Sequence, residues 1–96
     1  MRRRARVDDN QRDIVTVMRQ LGASVAPTHT VGNGFPDIVV GYNGVTKLVE
    51  IKDGSKKPSA RRLTPEEEAF HNAWRGGRPE VIESIDDALA MLRAME

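Results

Sequence analysis

The chain contains no cysteine and no apolar run of the length that spans a membrane. The absence of cysteine excludes disulfide bonds, thiolate metal sites and cysteine nucleophiles. A membrane-spanning helix needs about 20 consecutive apolar residues, and the arginine-rich start lacks the apolar segment that follows in a signal peptide. We therefore expect a soluble, cytoplasmic protein that has no membrane partner.

The length and the charge distribution narrow the class of protein further. The 96 residues correspond to one small domain, which buries a modest fraction of its surface and would gain stability from dimerisation. The net charge of +1 conceals two basic segments, since residues 1–6 and residues 52–62 each carry +4 and the remainder carries −7. Such segments on an acidic body favour contact with a polyanion, although solvated termini and loops are the alternative.

Three stretches have the spacing and the end signals of helices. The first runs from Asp8 or Asp9 to Leu21, because acidic residues suit the first turn and a glycine follows the apolar stripe. The second follows Thr64, with proline at the first helical position and a capping-box glutamate. The third follows Ser84, and we expect its buried side to comprise Ile85, Ala88, Leu89, Leu92 and Met95.

Strand patterns fill most of the remaining sequence. Residues 24–30 and 81–82 are predicted to be short strands, and residues 35–52 are predicted to form a hairpin around Asn43-Gly44, which favours a type I′ turn. Residues 53–62 contain almost no apolar side chain, so we expect a flexible loop. The predicted order is α-β-β-β-α-β-α, an α/β fold with a mixed sheet flanked by helices.

The hairpin register brings charged side chains together. A two-residue turn pairs Tyr42 with Val45, and the same register places Asp37 opposite Glu50, with Cβ atoms about 4.5–5.5 Å apart. Lys52 lies two residues further along and therefore shares their face of the sheet. The opposite face is predicted to belong to the core and comprises Ile38, Val40, Val49 and Ile51.

Two opposed carboxylates destabilise a sheet unless something compensates their charge. Lys52 alone could do so in a buried ion network. A hard divalent cation such as Mg²⁺ or Mn²⁺ is the other possibility, held by Asp37, Glu50 and the backbone carbonyl of Ile51. Lys52 would then orient or deprotonate a water molecule, or neutralise charge that develops on a phosphate.

The spacing Pro36-Asp37, twelve residues, then Glu50-Ile51-Lys52 resembles the signature of PD-(D/E)XK nucleases. Within that superfamily, the chain is most similar to the stand-alone VRR-NUC family of phage and prophage proteins. The stretches that carry the likeness are residues 34–41, 48–54 and 63–74. The resemblance implies a restriction-endonuclease-like core, with a basic arm at residues 1–7 and a single nuclease domain at residues 8–96.

The resemblance also implies an activity. It indicates Mg²⁺- or Mn²⁺-dependent hydrolysis of DNA phosphodiesters by a homodimer similar to Holliday-junction resolvases, in the cytoplasm of a bacterial host. Asp37, Glu50 and Lys52 would be the catalytic residues. A nicking or restriction-type nuclease without junction preference is an alternative, and so is a non-catalytic DNA-binding or assembly protein with a nuclease-like fold.

Further residues are assigned to the supporting parts of the site. Asn10 and Gln11 lie on the first helix, where related resolvases place an acid, and Glu67 and Glu68 lie where many relatives carry glutamine. An acid there would add a metal ligand, bind water or merely favour the helix start. The predicted DNA contacts are Arg2, Arg3, Arg4, Arg6, Lys56, Lys57, Arg61 and Arg62.

The two histidines and the tryptophan are expected to have structural roles. Nearby acids would already satisfy a hard metal ion, so neither His29 nor His71 is predicted to be a ligand. His71 is expected to pack or to form a hydrogen bond on the second helix beside Phe70 and Trp74. Trp74 is expected to lie in the core or in a dimer interface.

Overall fold

The computed structural model of the chain describes residues 9–96, so Asp8 and the predicted basic arm lie outside the described residues. The elements follow the predicted order: α1 Asp9–Gln20, β1 Ser24–Pro27, β2 Ile38–Tyr42, β3 Val45–Ile51, α2 Pro65–Ala73, β4 Glu80–Ile82 and α3 Ile85–Ala94. A single 3₁₀ turn, Pro58–Ala60, interrupts the connection between β3 and α2. Within residues 9–96, none of the helices has the length and apolar composition needed to cross a membrane.

The four strands form one mixed sheet in the order β1-β2-β3-β4. The first three strands are antiparallel neighbours, and β4 runs parallel to β3. Asn43 and Gly44 both have positive φ, 53° and 77°, as the predicted type I′ turn requires. Tyr42 lies opposite Val45 and Ile38 opposite Val49, so the predicted register is confirmed.

One face of the sheet carries the main hydrophobic core. The four predicted core residues of the hairpin are buried there against α1 and α3, which also pack on each other. Ile85 departs from the prediction, being 39% exposed, because it begins α3 beside a groove that α1 lines. Leu89 is only half-buried, and Met91 is buried instead. The buried apolar residues of α1, of α3 and of the cap after α3 are Ile14, Met18, Ala88, Met91, Leu92 and Met95.

Helix α2 starts at the predicted capping box. Thr64 accepts a hydrogen bond from the Glu67 N–H, and the Glu67 carboxylate accepts one from the Thr64 N–H. The expected apolar side is only partly buried: Phe70 is half-buried and stacks on Trp74, which remains 42% exposed. The buried residue of this helix is His71.

The strand predicted over residues 24–30 is shorter, because the chain turns after Pro27. The Val31 N–H donates to the Thr28 carbonyl and closes that turn. The loop then passes through Gly32 and Gly34, which have φ of +83° and +78°. Gly34 lies directly against the backbone carbonyl of Glu66, whereas a side chain at Gly32 would meet open space. Gly34 therefore sets how closely this loop approaches the first turn of α2.

The close approach at Gly34 gives a testable difference between two glycines. Both Gly32→Ala and Gly34→Ala place a side chain on a left-handed backbone, which costs roughly 1–2 kcal/mol. Gly34→Ala also forces its methyl group into the Glu66 carbonyl, so we expect a further loss of about 1–3 kcal/mol. Urea unfolding of the two variants measures the difference, and equal losses of stability would contradict this packing.

Candidate active site

Asp37 is fixed at the open end of the hairpin by two hydrogen bonds of its own and by a third to the residue before it. It immediately precedes Ile38, the first residue of β2 that pairs with β3, and its Oδ2 accepts from the Ile51 N–H at 2.8 Å. Its own carbonyl accepts from the Thr28 N–H at 2.8 Å, and the Thr28 hydroxyl donates to the Pro36 carbonyl at the same distance. The Asp37 carboxylate is therefore held beside β3 by the backbone around it.

Glu50 is a buried carboxyl group, only 2% exposed. Burial is the main cause that raises the pKa of Glu50 to about 10, and a hydrogen bond and the negative charge of Asp37 raise it further. The charge of Glu67 acts in the same direction, whereas Lys52 opposes the shift. At neutral pH a proton therefore offsets the repulsion between Asp37 and Glu50 when no cation is bound.

Lys52 is tied to the start of α2. Its Nζ donates to Glu67 Oε1 at 2.8 Å, and the same oxygen accepts the capping-box hydrogen bond from the Thr64 N–H at 2.8 Å. Burial alone would raise the pKa of Glu67, but the hydrogen bonds from Lys52 and Thr64 outweigh it and lower that pKa. Glu67 is therefore an ionised partner that positions the Lys52 ammonium group.

The other supporting residues fall into two groups. Asn10 reaches the site, because its Nδ2 donates to the Lys52 carbonyl at 2.9 Å while its Oδ1 is buried without a hydrogen-bond partner. Gln11 is buried on the same turn of α1. Glu68 points elsewhere and pairs with Arg78 at 3.2 Å, with both side chains about half exposed. The structure thus joins Asn10 and Glu67 to the predicted site and leaves Glu68 on the surface.

His71 lies in the site, which the sequence interpretation missed. Its Nε2 is 3.7 Å from Glu50 Oε1, and the two side chains are 0% and 2% exposed. Burial lowers the pKa of His71, and Arg78 and Lys52 lower it further against the charges of two glutamates on its own helix. The imidazole is therefore neutral at pH 7, and its contact with Glu50 is neither an ion pair nor a hydrogen bond.

A sequence signal for His71 did exist. Glu67 and His71 are separated by four residues on α2, so both lie on the same side of that helix. Because Glu67 is assigned to the site from the sequence, the same spacing indicates His71 as a residue of that side as well. The expectation that His71 packs or forms a hydrogen bond beside Phe70 and Trp74 did not use this spacing.

The available donors suit a hard divalent cation. Within the described residues 9–96, no three Asp, Glu or His side chains form a metal-ligand cluster. Mg²⁺ commonly takes only one or two carboxylates and keeps several waters, which Asp37 and Glu50 can satisfy. The Ile51 carbonyl leaves β3 on the same side as its N–H, which donates to Asp37. The residues are thus of a kind that suits a hard cation, while the ligand set of Asp37, Glu50 and the Ile51 carbonyl stays a prediction.

The basic loop after Lys52 is more ordered than the expected flexible connection. Asp53 accepts hydrogen bonds from the N–H and hydroxyl of Ser55, and the 3₁₀ turn follows. Arg61 is held by the Glu83 carboxylate at 2.9 Å and by the Lys56 carbonyl at 2.7 Å. Lys56, Lys57 and Arg62 are exposed. The other predicted DNA contacts, Arg2, Arg3, Arg4 and Arg6, lie outside the described residues.

Comparison with known proteins adds one observation. No family model and no curated protein matches the sequence. A solved structure described as a VRR_NUC domain superposes on it with a TM-score of 0.65 and 25% sequence identity, covering 90% of this chain and 92% of the other. The chain has the VRR_NUC fold. The predicted likeness to VRR-NUC domains and the predicted nuclease-like core are thereby confirmed, while a phage or prophage origin stays a prediction.

The buried carboxyl group of the VRR_NUC-type site makes stability depend on pH. In the unfolded chain Glu50 releases its proton near its ordinary pKa of 4.5, whereas in the folded protein it keeps the proton up to about pH 10. Its contribution to stability is thus fully present below pH 4.5 and is lost as the pH rises towards 10.

Glu50→Gln should remove this loss. In EDTA at pH 8.5 we expect the free energy of unfolding to rise by on the order of 1–3 kcal/mol, because an ionisable buried carboxyl becomes a neutral amide. The gain should shrink towards zero near pH 4.5. Urea unfolding at both pH values tests this, with the exposed Glu66→Gln as the matched control. A gain that does not change with pH, or a loss at pH 8.5, would contradict the burial argument.

Proposed function

We propose that the chain is a DNA nuclease of the PD-(D/E)XK type that depends on Mg²⁺ or Mn²⁺. The observation that carries the proposal is the convergence of Asp37 and Glu50 beside the Ile51 backbone, at the end of a hairpin in a VRR_NUC fold. Lys52 follows at once in the chain and completes the Glu-Ile-Lys part of the signature.

The metal would be held by Asp37, Glu50 and the Ile51 carbonyl. When bound, such an ion polarises a phosphate oxygen and lowers the pKa of a water ligand. The chain itself holds the two carboxylates in place: the Ile51 N–H fixes one oxygen of Asp37, and the sheet buries Glu50. A rigid pair of ligands favours catalysis because it needs no rearrangement when charge develops.

Lys52 is assigned an electrostatic role towards the phosphate. An ammonium group has three hydrogens to donate, and Glu67 takes one of them in the structure. The other two are available to the oxygens of a phosphodiester, where positive charge stabilises the transition state. Glu67 and Asn10 support this role by holding the side chain and the carbonyl of Lys52.

The basic loop supplies a path for the DNA backbone. It follows Lys52 directly and presents Lys56, Lys57 and Arg62 to solvent. Lysine and arginine contacts to phosphates bind without reading bases and weaken steeply as salt increases. Arg61 has a different task in this proposal, because its pairing with Glu83 anchors the loop to the segment after β4.

We further propose that the protein acts as a homodimer on branched DNA, with the four-way junction as the favoured substrate. The resemblance to resolvases supports this preference. The exposed apolar side chains Trp74 and Val45, 42% and 38% exposed, line one cavity of about 310 Å³ and would be covered in a dimer. Two subunits would bring two active sites to one junction.

A cleavage assay tests the proposed activity. We expect the purified protein to cut a labelled four-way junction with Mn²⁺ and not with EDTA. Asp37→Ala and Lys52→Ala should each lower the cleavage rate by roughly 100-fold or more, since each removes a group that stabilises developing charge. Asp86→Ala and Arg93→Ala, exposed residues on α3, serve as matched controls and should cut like the wild type.

The assay also separates the alternatives. Cleavage in EDTA, or by Asp37→Ala, would contradict the metal-dependent mechanism. DNA binding without cleavage would favour the non-catalytic protein. Equal cutting of the junction and of a linear duplex with the same sequence would remove the junction preference and leave a nicking or restriction-type nuclease.

A further inference from the structure

Where α2 packs on β3, several buried polar atoms have no hydrogen-bond partner among the described residues. Glu50 Oε1 and both ring nitrogens of His71 have no hydrogen-bond partner. The two side chains face each other at 3.7 Å and are excluded from solvent. Buried polar groups without partners destabilise a protein, so their presence here calls for a functional explanation.

We propose that His71 is a positioning residue for Glu50. The His71 Nε2–H would donate a hydrogen bond to Glu50 Oε1, the buried oxygen that it faces, and so hold the Glu50 carboxyl group in the orientation in which it can serve as a metal ligand. The inference rests on the proposed metal-dependent function and adds to it a residue outside the Asp-Glu-Lys signature.

The geometry requires only a small movement. An N–H···O hydrogen bond has a donor–acceptor distance of about 2.9 Å, so the present 3.7 Å must shorten by less than about 1 Å. Within residues 9–96, neither Glu50 Oε1 nor His71 Nε2 has another hydrogen-bond partner, so the contact can form without breaking an existing hydrogen bond at either atom. An N–H donor placed against a buried carboxyl oxygen satisfies both polar groups at once.

Helix α2 is well placed to hold His71 still. The capping box fixes its first turn through Glu67, and His71 lies one turn further along on the same side. The Gly34 contact and the Phe35–Phe70 ring pair, with centroids 5.2 Å apart, attach the helix to the loop before Asp37. The imidazole therefore approaches Glu50 from a rigid support.

Substitution of His71 distinguishes positioning from simple packing. His71→Phe keeps an aromatic ring but removes the donor, whereas His71→Gln restores an N–H at a similar reach. Mutation of a residue that hydrogen-bonds a metal ligand typically lowers metal affinity about 10–100-fold. We therefore expect His71→Phe to lower Mn²⁺ affinity by about 10–100-fold and His71→Gln to lower it by less than about 5-fold.

The measurements are Mn²⁺ affinity by calorimetry and thermal unfolding in EDTA. His71→Phe should melt in EDTA at or above the wild-type temperature, because it removes two unpartnered nitrogens. A mere packing role predicts the reverse pattern, with lowered stability and unchanged affinity. His29→Gln, a substitution at the other histidine, should leave the affinity unchanged. If the wild-type protein and His71→Phe bind Mn²⁺ with equal affinity, this inference is overturned and the nuclease proposal is unaffected.

A spectroscopic readout remains decisive if a variant fails to fold. Nitrogen NMR of the wild-type protein with Mg²⁺ should find the Nε2–H tautomer of His71, with an Nε2 proton that shifts downfield when Mg²⁺ is added. The Nδ1–H tautomer in the Mg²⁺-loaded protein would overturn the inference. A wild-type protein that binds neither Mg²⁺ nor Mn²⁺ would overturn both the inference and the proposed function.

Discussion

The register of the β2–β3 hairpin is the constraint on which the rest of the site depends. Asn43 and Gly44 allow a two-residue turn with positive φ at both positions, and that turn determines which residues of the two strands face each other. A shift of one residue would move Glu50 into the apolar core and Val49 out of it. The burial of Val49 and its neighbours on one face therefore holds Asp37 and Glu50 together on the other.

The face that carries the carboxylates is arranged differently from the apolar core. It is covered by the short helix α2, whose buried residue is a histidine and whose capping-box glutamate, Glu67, is also the partner of Lys52. Glu67 thus connects the stability of the helix with the position of Lys52. The buried carboxyl of Glu50 lowers stability above its ordinary pKa, and under the proposed function a bound cation would offset this cost.

Much of the fold follows from local patterns. The Asn-Gly turn, the alternation of apolar residues and the capping box act over a few residues, so they predicted the register, the core face and the start of α2. The spacing of Glu67 and His71 indicates a shared side of α2, but the contact of His71 with Glu50 depends on how α2 packs on the sheet. The Arg61–Glu83 pair likewise depends on how the basic loop lies against the segment after β4, which no local pattern specifies. The catalytic roles of Asp37, Glu50 and Lys52 were predicted from the register and the resemblance, and these roles remain predictions.

Anomalous X-ray diffraction from crystals grown with Mn²⁺ tests the central claim most directly, because it locates the ion without assuming its ligands. The account predicts a manganese peak within about 2.6 Å of an oxygen from each of Asp37, Glu50 and the Ile51 carbonyl. A manganese peak found only at other residues, with no ion shared by Asp37 and Glu50, would contradict the account.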